Sequence, residues 1–339
     1  MKIYNSHEYI RQMAAECVPD MRYDGIMDFK TWQKQARQTL DQLLGLPLVP
    51  CDSQFTVTRM EKTDAYKQLD FEFQSEKGYY VPCSLLIPKG AQTPLPAFIC
   101  LQGHSTGKHI SIGKEQFESD RELIAGGRDF ALQAIREGFC AVVLDQRYMG
   151  EAGRSLQGDP ACLSDNEAMA ALLMGRTALG ERVWDIMRLI DVLIQNLQEY
   201  VDPEQIMCMG NSGGGTATFY ASCMDSRIRL SMPSCSVCSF DDSIMAMSHC
   251  SCNFIPGIRR HFDMGDLGAL IAPRKLVVVC GRQDPIFPYA GVQKSFSQIR
   301  QVYELLGASE NCCLAEGAGG HQFYPDEAWP VVQKLLGGK

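Results

Sequence analysis

No apolar run in this 339-residue chain approaches the roughly 20 residues that a membrane-spanning helix needs. No membrane partner is therefore expected. The opening stretch MKIYNSHEYIRQM lacks the continuous apolar segment of an export signal, and the chain is read as cytoplasmic. Clustered basic residues are also missing. Lys and Arg number 32 against 40 Asp and Glu, the formal net charge is −8, and the densest basic spot is the short IRRHF at 258–262. Binding a phosphate backbone needs clustered cations, so no nucleic-acid partner is expected. There is no internal repeat and no low-complexity linker. Oligomeric state is not legible, and a homo-oligomer is left open.

Cysteine is the opposite case, with fifteen residues. The number is odd, the spacing is scattered, and several lie within apolar runs (AFICL, GFCAVVL, VVVCG). A disulfide framework would show an even, regular set. These thiols are expected to be reduced and to pack as small hydrophobes. The remaining composition, 45% apolar and 21% charged, is that of a soluble globular chain with material for a sizeable core.

Strand-like and helix-like segments alternate. Residues 28–44 form an amphipathic pattern stopped by Gly45 and Pro47. Residues 67–87 read as two strands joined by a turn near SEKG. Six short apolar runs follow, at 96–102, 138–146, 205–210, 228–233, 275–281 and 312–317. Their length and Val/Ile/Leu/Cys content suit parallel strands buried on both faces. Helical patterns precede the second, third and last. This predicts an α/β fold: a mainly parallel sheet of about eight strands flanked by helices, with an antiparallel pair at one edge. The expected organisation is an N-terminal helical extension over 1–60 and an α/β domain over 61–339, forming one structural domain. The stretches 104–127, 148–180 and 234–273 are too long for plain connections and are expected to carry lids or pocket walls.

The sharpest motif is CMGNSGGGTATFY, 208–220. Gly210-Asn211-Ser212-Gly213-Gly214 fits G-x-S-x-G between a strand and a helix. That context makes a nucleophile elbow, a strained turn that lifts the serine hydroxyl above the sheet. Alone, the pattern could be a glycine-rich turn without chemistry; no G-K-[ST] follows, which disfavours a P-loop. Two later strand ends decide between these. LVVVCGRQDPIFP presents Asp284, and CCLAEGAGGHQFY presents His321. Serine, acid and histidine in that chain order, each after a strand, form a Ser212–Asp284–His321 triad. The oxyanion donors are expected to be the backbone N–H groups of Gly213 and of His104, in the loop after FICLQ, with Ser105 as the alternative to His104.

At this point the chain resembles the α/β-hydrolase superfamily, and within it the acetyl-xylan-esterase-related, dienelactone-hydrolase-like bacterial esterases. The resemblance covers most of the chain. It rests on GGRDFALQAIREGFCAVVLDQRYMGEAG with its D-x-R-x-x-G-E turn, GRTALGERVWDIMRLIDVL, MGNSGGGTATFYASCMDSRI, CNFIPGI and LIAPRKLVVVCGRQDPIFP. It implies the same triad and hydrolysis of a small ester, often an acetyl group on a carbohydrate. The related cephalosporin-C deacetylases carry R-G-Q, G-x-S-Q-G and H-E, where this chain has QGH, GNSGG and GGHQ. That departure bears on the sugar-acetate substrate.

Other candidates carry less. Arg147 and Glu151, in the DQRYMGE turn, either shape the pocket or pair with each other. Arg182 and Trp184 are expected to pack, and Glu115 to line the site or be solvated. CSVCSFDDSIMAMSHCSC, 235–252, brings Cys235, Cys238, His249, Cys250 and Cys252 together in sequence. C-x-x-C suits zinc, but HCSC is not a standard second half, so reduced thiols near the pocket are expected, Cys235 and Cys238 among them, with no metal. The expectation is a serine hydrolase that cleaves a small carboxylic ester through an acyl-enzyme, without a cofactor. The alternatives are an amidase or peptidase with the same triad, and a non-catalytic binding protein, with or without zinc, on the same scaffold.

Overall fold

The computed structural model describes residues 2–153 and 164–337. The apolar runs form strands β1 (Thr56–Lys62), β2 (Tyr66–Glu76), β3 (Tyr79–Pro88), β4 (Leu95–Leu101), β5 (Cys140–Leu144), β6 (Val201–Asn211), β7 (Ile228–Ser234), β8 (Lys275–Gly281) and β9 (Cys312–Gly317). They make one sheet in the order β1-β2-β3-β5-β4-β6-β7-β8-β9. Pairings among β1, β2, β3 and β5 are antiparallel; all the others are parallel.

The sheet has nine strands rather than eight, and β1 is the addition. TVTRMEK is mostly exposed on both faces at the sheet edge, so it carries no apolar alternation to betray it. It starts inside the segment assigned to the N-terminal extension.

The central strands are buried on both faces, and alternate residues enter two separate cores. Ile99, Val142, Cys208 and Val278 join one; Phe98, Val143, Met207 and Val277 join the other. The first core is closed by helices Phe29–Leu44, Ala178–Asn196, Gly213–Met224 and Tyr289–Leu305. Helices Phe130–Arg136 and Pro325–Leu335 close the second, where Phe98 meets Trp329 edge-on at 5.3 Å. All fourteen described cysteines are free, and most are buried, as small apolar residues in these layers should be. Among the described residues no helix is long and apolar enough to cross a membrane.

Two of the long stretches carry only short helical turns, at Lys108–Ile112, Asp120–Leu123, Ile124–Arg128, Ser251–Asn253, Ile258–His261 and Met264–Ala269. The third, 148–180, lies partly outside the described residues. Its described part includes helix Ser164–Leu173.

The N-terminal segment is bonded to the sheet body. Arg37 donates to the carbonyls of Cys223 and Leu270, and Gln33 to those of Leu270 and Ala272. At the other end of helix Phe29–Leu44, Thr177 Oγ1 donates to Leu44 O at 2.9 Å and accepts from Gly180 N at 2.9 Å. Thr177 thus caps one helix while holding the end of another. The two backbones are so close that a Cβ on Gly180 would lie 2.1 Å from Leu44 O. Helix propensity alone favours alanine at this site by about 1 kcal/mol. The clash is with a main-chain oxygen that cannot swing away, and it reverses the sign. Gly180→Ala should lower stability by about 1–3 kcal/mol, read as a lower urea midpoint with an unchanged slope.

Candidate active site

Ser212 sits between β6 and helix Gly213–Met224 at φ 56°, ψ −123°. An L-residue with a side chain rarely adopts this conformation, and it persists only where surroundings enforce it. Ser212 N donates to Ser234 O at 2.8 Å. The preceding Asn211 accepts from Ser234 Oγ at 2.8 Å, which ties the turn to β7 and gives Asn211 its role. Behind the turn, a Cβ on Gly214 would meet Leu101 O at 2.2 Å. A Cβ on Gly103 would meet Ser212 Cβ at 2.9 Å. The loop after β4 therefore lies directly on the elbow. Of the four non-glycine residues with positive φ among those described, Tyr148, Ser212 and Cys235 all follow strand ends at this one edge of the sheet. Backbone strain is concentrated there.

Asp284 and His321 leave the ends of β8 and β9 and meet, with His321 Nδ1 2.8 Å from Asp284 Oδ2. The other carboxylate oxygen accepts from Ile286 N at 2.8 Å and Phe287 N at 3.1 Å. Burial opposes the Asp284 charge, but the His321 bond and these two N–H groups outweigh it and hold the carboxyl below its usual range. Phe287 does a second job: its ring stacks on His321, centroids 5.7 Å apart and planes 17° apart. The nitrogen engaged by Asp284 is Nδ1, which leaves Nε2 as the atom available to a hydroxyl. Ser212 stands beside Ser234; the next residue, Cys235, has its sulfur within 4.8 Å of donor atoms of both Asp284 and His321. The three predicted residues thus converge around the ends of β6 to β9.

The Gly213 N–H opens a helix and has no intrahelical acceptor. The His104 ring lies beside Gly213: a Cβ there would be 3.1 Å from His104 Nδ1. Ser105 is buried and its hydroxyl is turned to Gly103 O.

Arg147 and Glu151 do not pair with each other. Arg147 is buried and grips Asp185 with two bonds of 2.8 and 2.9 Å, with Glu76 at 2.8 Å and Glu181 at 3.5 Å. Burial works against its charge, but Asp185 and Glu181 hold its pKa up. Glu151 is largely exposed and pairs with Lys108. Lys108 N in turn donates to buried Asp145 at 2.7 Å. The D-x-R-x-x-G-E turn is thus a knot that fastens the loop after β4. Arg182 and Trp184 pack, with Trp184 Nε1 on Ser75 O at 3.1 Å and Arg182 Nε on Arg147 O at 3.1 Å. Glu115 is exposed and paired with Arg121.

The cysteine-rich segment does not form one cluster. Cys235 Sγ donates to Gln322 O at 3.2 Å, under the histidine loop, and Cys238 Sγ to Pro288 O at 3.6 Å, under the acid loop. Both are buried, so they support the His321 and Asp284 loops from beneath. Cys250 and Cys252 turn instead toward His104. His249 packs edge-on against Phe287 at 5.5 Å. Burial, then the nearby His321 and His104, push its pKa down, so three histidines share this rim. Phe287 was not anticipated from sequence, where the two prolines around IF in DPIFP were the available signal of a rigid loop; His249 was singled out only as a member of the cysteine-rich run, not as a neighbour of Phe287. A cavity of about 620 Å³ is lined by His7, Ile10, Phe240 and Phe254 among others and by none of Ser212, Asp284 or His321.

A mostly parallel sheet with a strained serine turn in mid-sheet and an acid–histidine pair after two later strands is the α/β-hydrolase architecture. The profile of the Abhydrolase family matches residues 4–318, and the chain belongs to that family. It is 24% identical over 243 residues to a Bacillus subtilis (strain 168) protein assigned as a hydrolase, YtaP, covering 71% of this chain and 77% of that one. Among solved structures it is similar to a protein from Bacteroides fragilis NCTC 9343 assigned as an acetyl xylan esterase. That match has a TM-score of 0.77 and 18% identity, and covers 94% of this chain and 83% of the other. It is also similar to a glucuronoyl esterase from Solibacter usitatus (TM-score 0.69, 16% identity, 95% and 98% covered). A third, methylesterase BT1017, gives a TM-score of 0.70 at 20% identity, with 98% and 67% covered.

Two outcomes follow from the charges. Arg147→Leu strands the buried Asp185 carboxylate and should cost about 3–5 kcal/mol in urea unfolding; adding Asp185→Leu should recover much of that loss. Asp284 has a depressed folded pKa, so its contribution is complete above its unfolded value of about 4 and is lost as pH falls through the lower folded value. Asp284→Asn should therefore flatten the fall in urea midpoint between about pH 5 and about pH 3; parallel curves for the two proteins would contradict this.

Proposed function

We propose that the protein is a serine esterase acting on a small carboxylic ester, through Ser212, His321 and Asp284. The observation that carries this reading is the Asp284–His321 bond of 2.8 Å at the rim that also holds the strained Ser212 turn. His321 Nε2 takes the Ser212 Oγ proton as the oxygen attacks the ester carbonyl. The oxyanion forms beside Gly213 N–H and the backbone of His104. Collapse of the intermediate expels the alcohol, which receives the proton from His321. Water, deprotonated by the same nitrogen, then releases the acid and restores Ser212. Asp284 holds the ring with Nδ1 protonated and stabilises its cation. No cofactor enters these steps.

The substrate class is supported by resemblance in shape to proteins named for acetyl xylan, glucuronoyl and methyl ester cleavage. An ester borne on a carbohydrate is the favoured substrate, and the small-ester preference follows from the same likeness.

Nitrophenyl esters of increasing acyl length provide the test. Wild type should turn over the short esters, and Ser212→Ala should lose at least about 10⁴-fold in kcat. Asp284→Asn should lose about 10³–10⁴-fold. A fluorophosphonate should add one adduct to wild type and none to Ser212→Ala. Equal turnover by wild type and Ser212→Ala, with no adduct on either, would remove the esterase reading. Turnover of nitroanilides in place of esters would shift it to an amidase.

A further inference from the structure

Three soft donor atoms meet beside the elbow without belonging to the acid–base pair. His104 Nε2 lies 3.5 Å from Cys252 Sγ, and Cys250 Sγ lies 3.0 Å from Cys252 Sγ. All three donors fall within 4.8 Å of one another. His104 also engages Cys250, so its ring edge faces both sulfurs. Cys252 is buried and Cys250 half-buried. The other grouping of potential ligands, Cys235 with Asp284 and His321, is occupied by the Asp284–His321 bond.

Tetrahedral zinc, with Zn–S of about 2.3 Å and Zn–N of about 2.0–2.1 Å, sets a sulfur and a nitrogen ligand about 3.5 Å apart and two sulfurs about 3.8 Å apart. The sulfur–nitrogen separation is already met. The two sulfurs must part by about 0.8 Å, a side-chain rotation open to half-buried Cys250. Cys250 and Cys252 sit at the start of the short turn Ser251–Asn253, while His104 comes from the loop after β4. The ligands thus arise from two segments 148 residues apart, which a metal ion would staple together.

We propose that His104, Cys250 and Cys252 bind one zinc-class divalent cation at the rim of the Ser212 site. One imidazole and two thiolates select a thiophilic ion over magnesium or calcium, which take oxygen ligands. Binding converts two thiols to thiolates and releases two protons, with the neutral imidazole donating through Nε2. The proton of the imidazole then resides on Nδ1, the nitrogen that faces Gly213. The described residues supply three of the four ligands that tetrahedral zinc takes. Metal loading would accordingly fix the loop after β4 that carries His104 and place the imidazole N–H beside Gly213.

The test is metal uptake by the full chain, reduced and stripped with chelator, then titrated with Zn²⁺ or Co²⁺. One equivalent should bind, with release of two protons. Co²⁺ should show a thiolate charge-transfer band that is halved in Cys250→Ser and in Cys252→Ser and absent from the double variant. Each single variant should weaken Zn²⁺ binding by more than the about 10–100-fold that loss of an outer-shell partner costs. Cys238→Ser should bind as wild type. Circular dichroism on each variant verifies that it is folded. Wild type that takes up no more metal than the folded double variant would overturn the proposal. So would a Cys250–Cys252 disulfide that forms in air in a protein which, once reduced, binds no metal. None of these readouts uses ester turnover, so the site stands or falls separately from the esterase reading.

Discussion

At the centre of the molecule two stretches of main chain touch with no room for a side chain between them. The end of β4 and the turn after β6 approach so closely that a methyl group on Gly214 would lie 2.2 Å from Leu101 O, and one on Gly103 would strike the Ser212 side chain. This contact holds Ser212 in its unfavourable conformation and sets the loop after β4 over the start of the next helix. The parallel pairing of β4 with β6 supplies the platform. Ser212, Asp284 and His321 lie past the carboxyl ends of β6, β8 and β9, where an open α/β sheet has its crevice.

Around that contact, buried carboxylates act as fasteners. Asp145 gathers Lys108 N and Nζ and Glu151 N, pinning the β4 loop to the β5 loop. Asp120 does the same further along, accepting from Gln116 N and Phe117 N at 2.9 Å and meeting His109 Nε2 at 2.9 Å. Asp185 anchors Arg147 against helix Ala178–Asn196. Each carboxylate has two or more donors, which is the condition under which a buried charge is tolerated. Asp284 belongs to the same set. It differs in that one of its partners, His321, lies at the rim that holds the strained Ser212 turn. Phe287 serves both members of that pair, with its N–H on Asp284 and its ring on His321, so one rigid loop carries the geometry of both.

Local periodicity made most of the fold legible. Eight of nine strands and the principal helices follow from short apolar runs and three- to four-residue spacing, because burial of both sheet faces demands them. The edge strand β1 was silent because neither of its faces is buried. That Ser212, Asp284 and His321 each come after a strand end was legible, because a short apolar run precedes each of them. Polar pairing was not. Arg147 and Glu151, four residues apart, look like partners; their real partners are Asp185 and Lys108, 38 and 43 residues away. The run from Cys235 to Cys252 looks like one cluster, yet the chain sends its two ends to different loops. Long-range contacts between charged or soft groups leave no period in a sequence, since each requires only one residue at each end.

The bonds that hold helix Phe29–Leu44 have a consequence for biosynthesis. Its acceptors lie on Cys223 and Leu270 and its cap on Thr177, all far downstream. At about 5–20 residues per second, the ribosome needs about 10–40 s to travel from the end of this helix to Cys223. Through that interval Trp32, Ala36, Leu40 and Leu44 have no core to enter. The nascent chain thus presents an apolar helical stripe long before the elbow helix exists, a natural substrate for the chaperones that meet growing polypeptides.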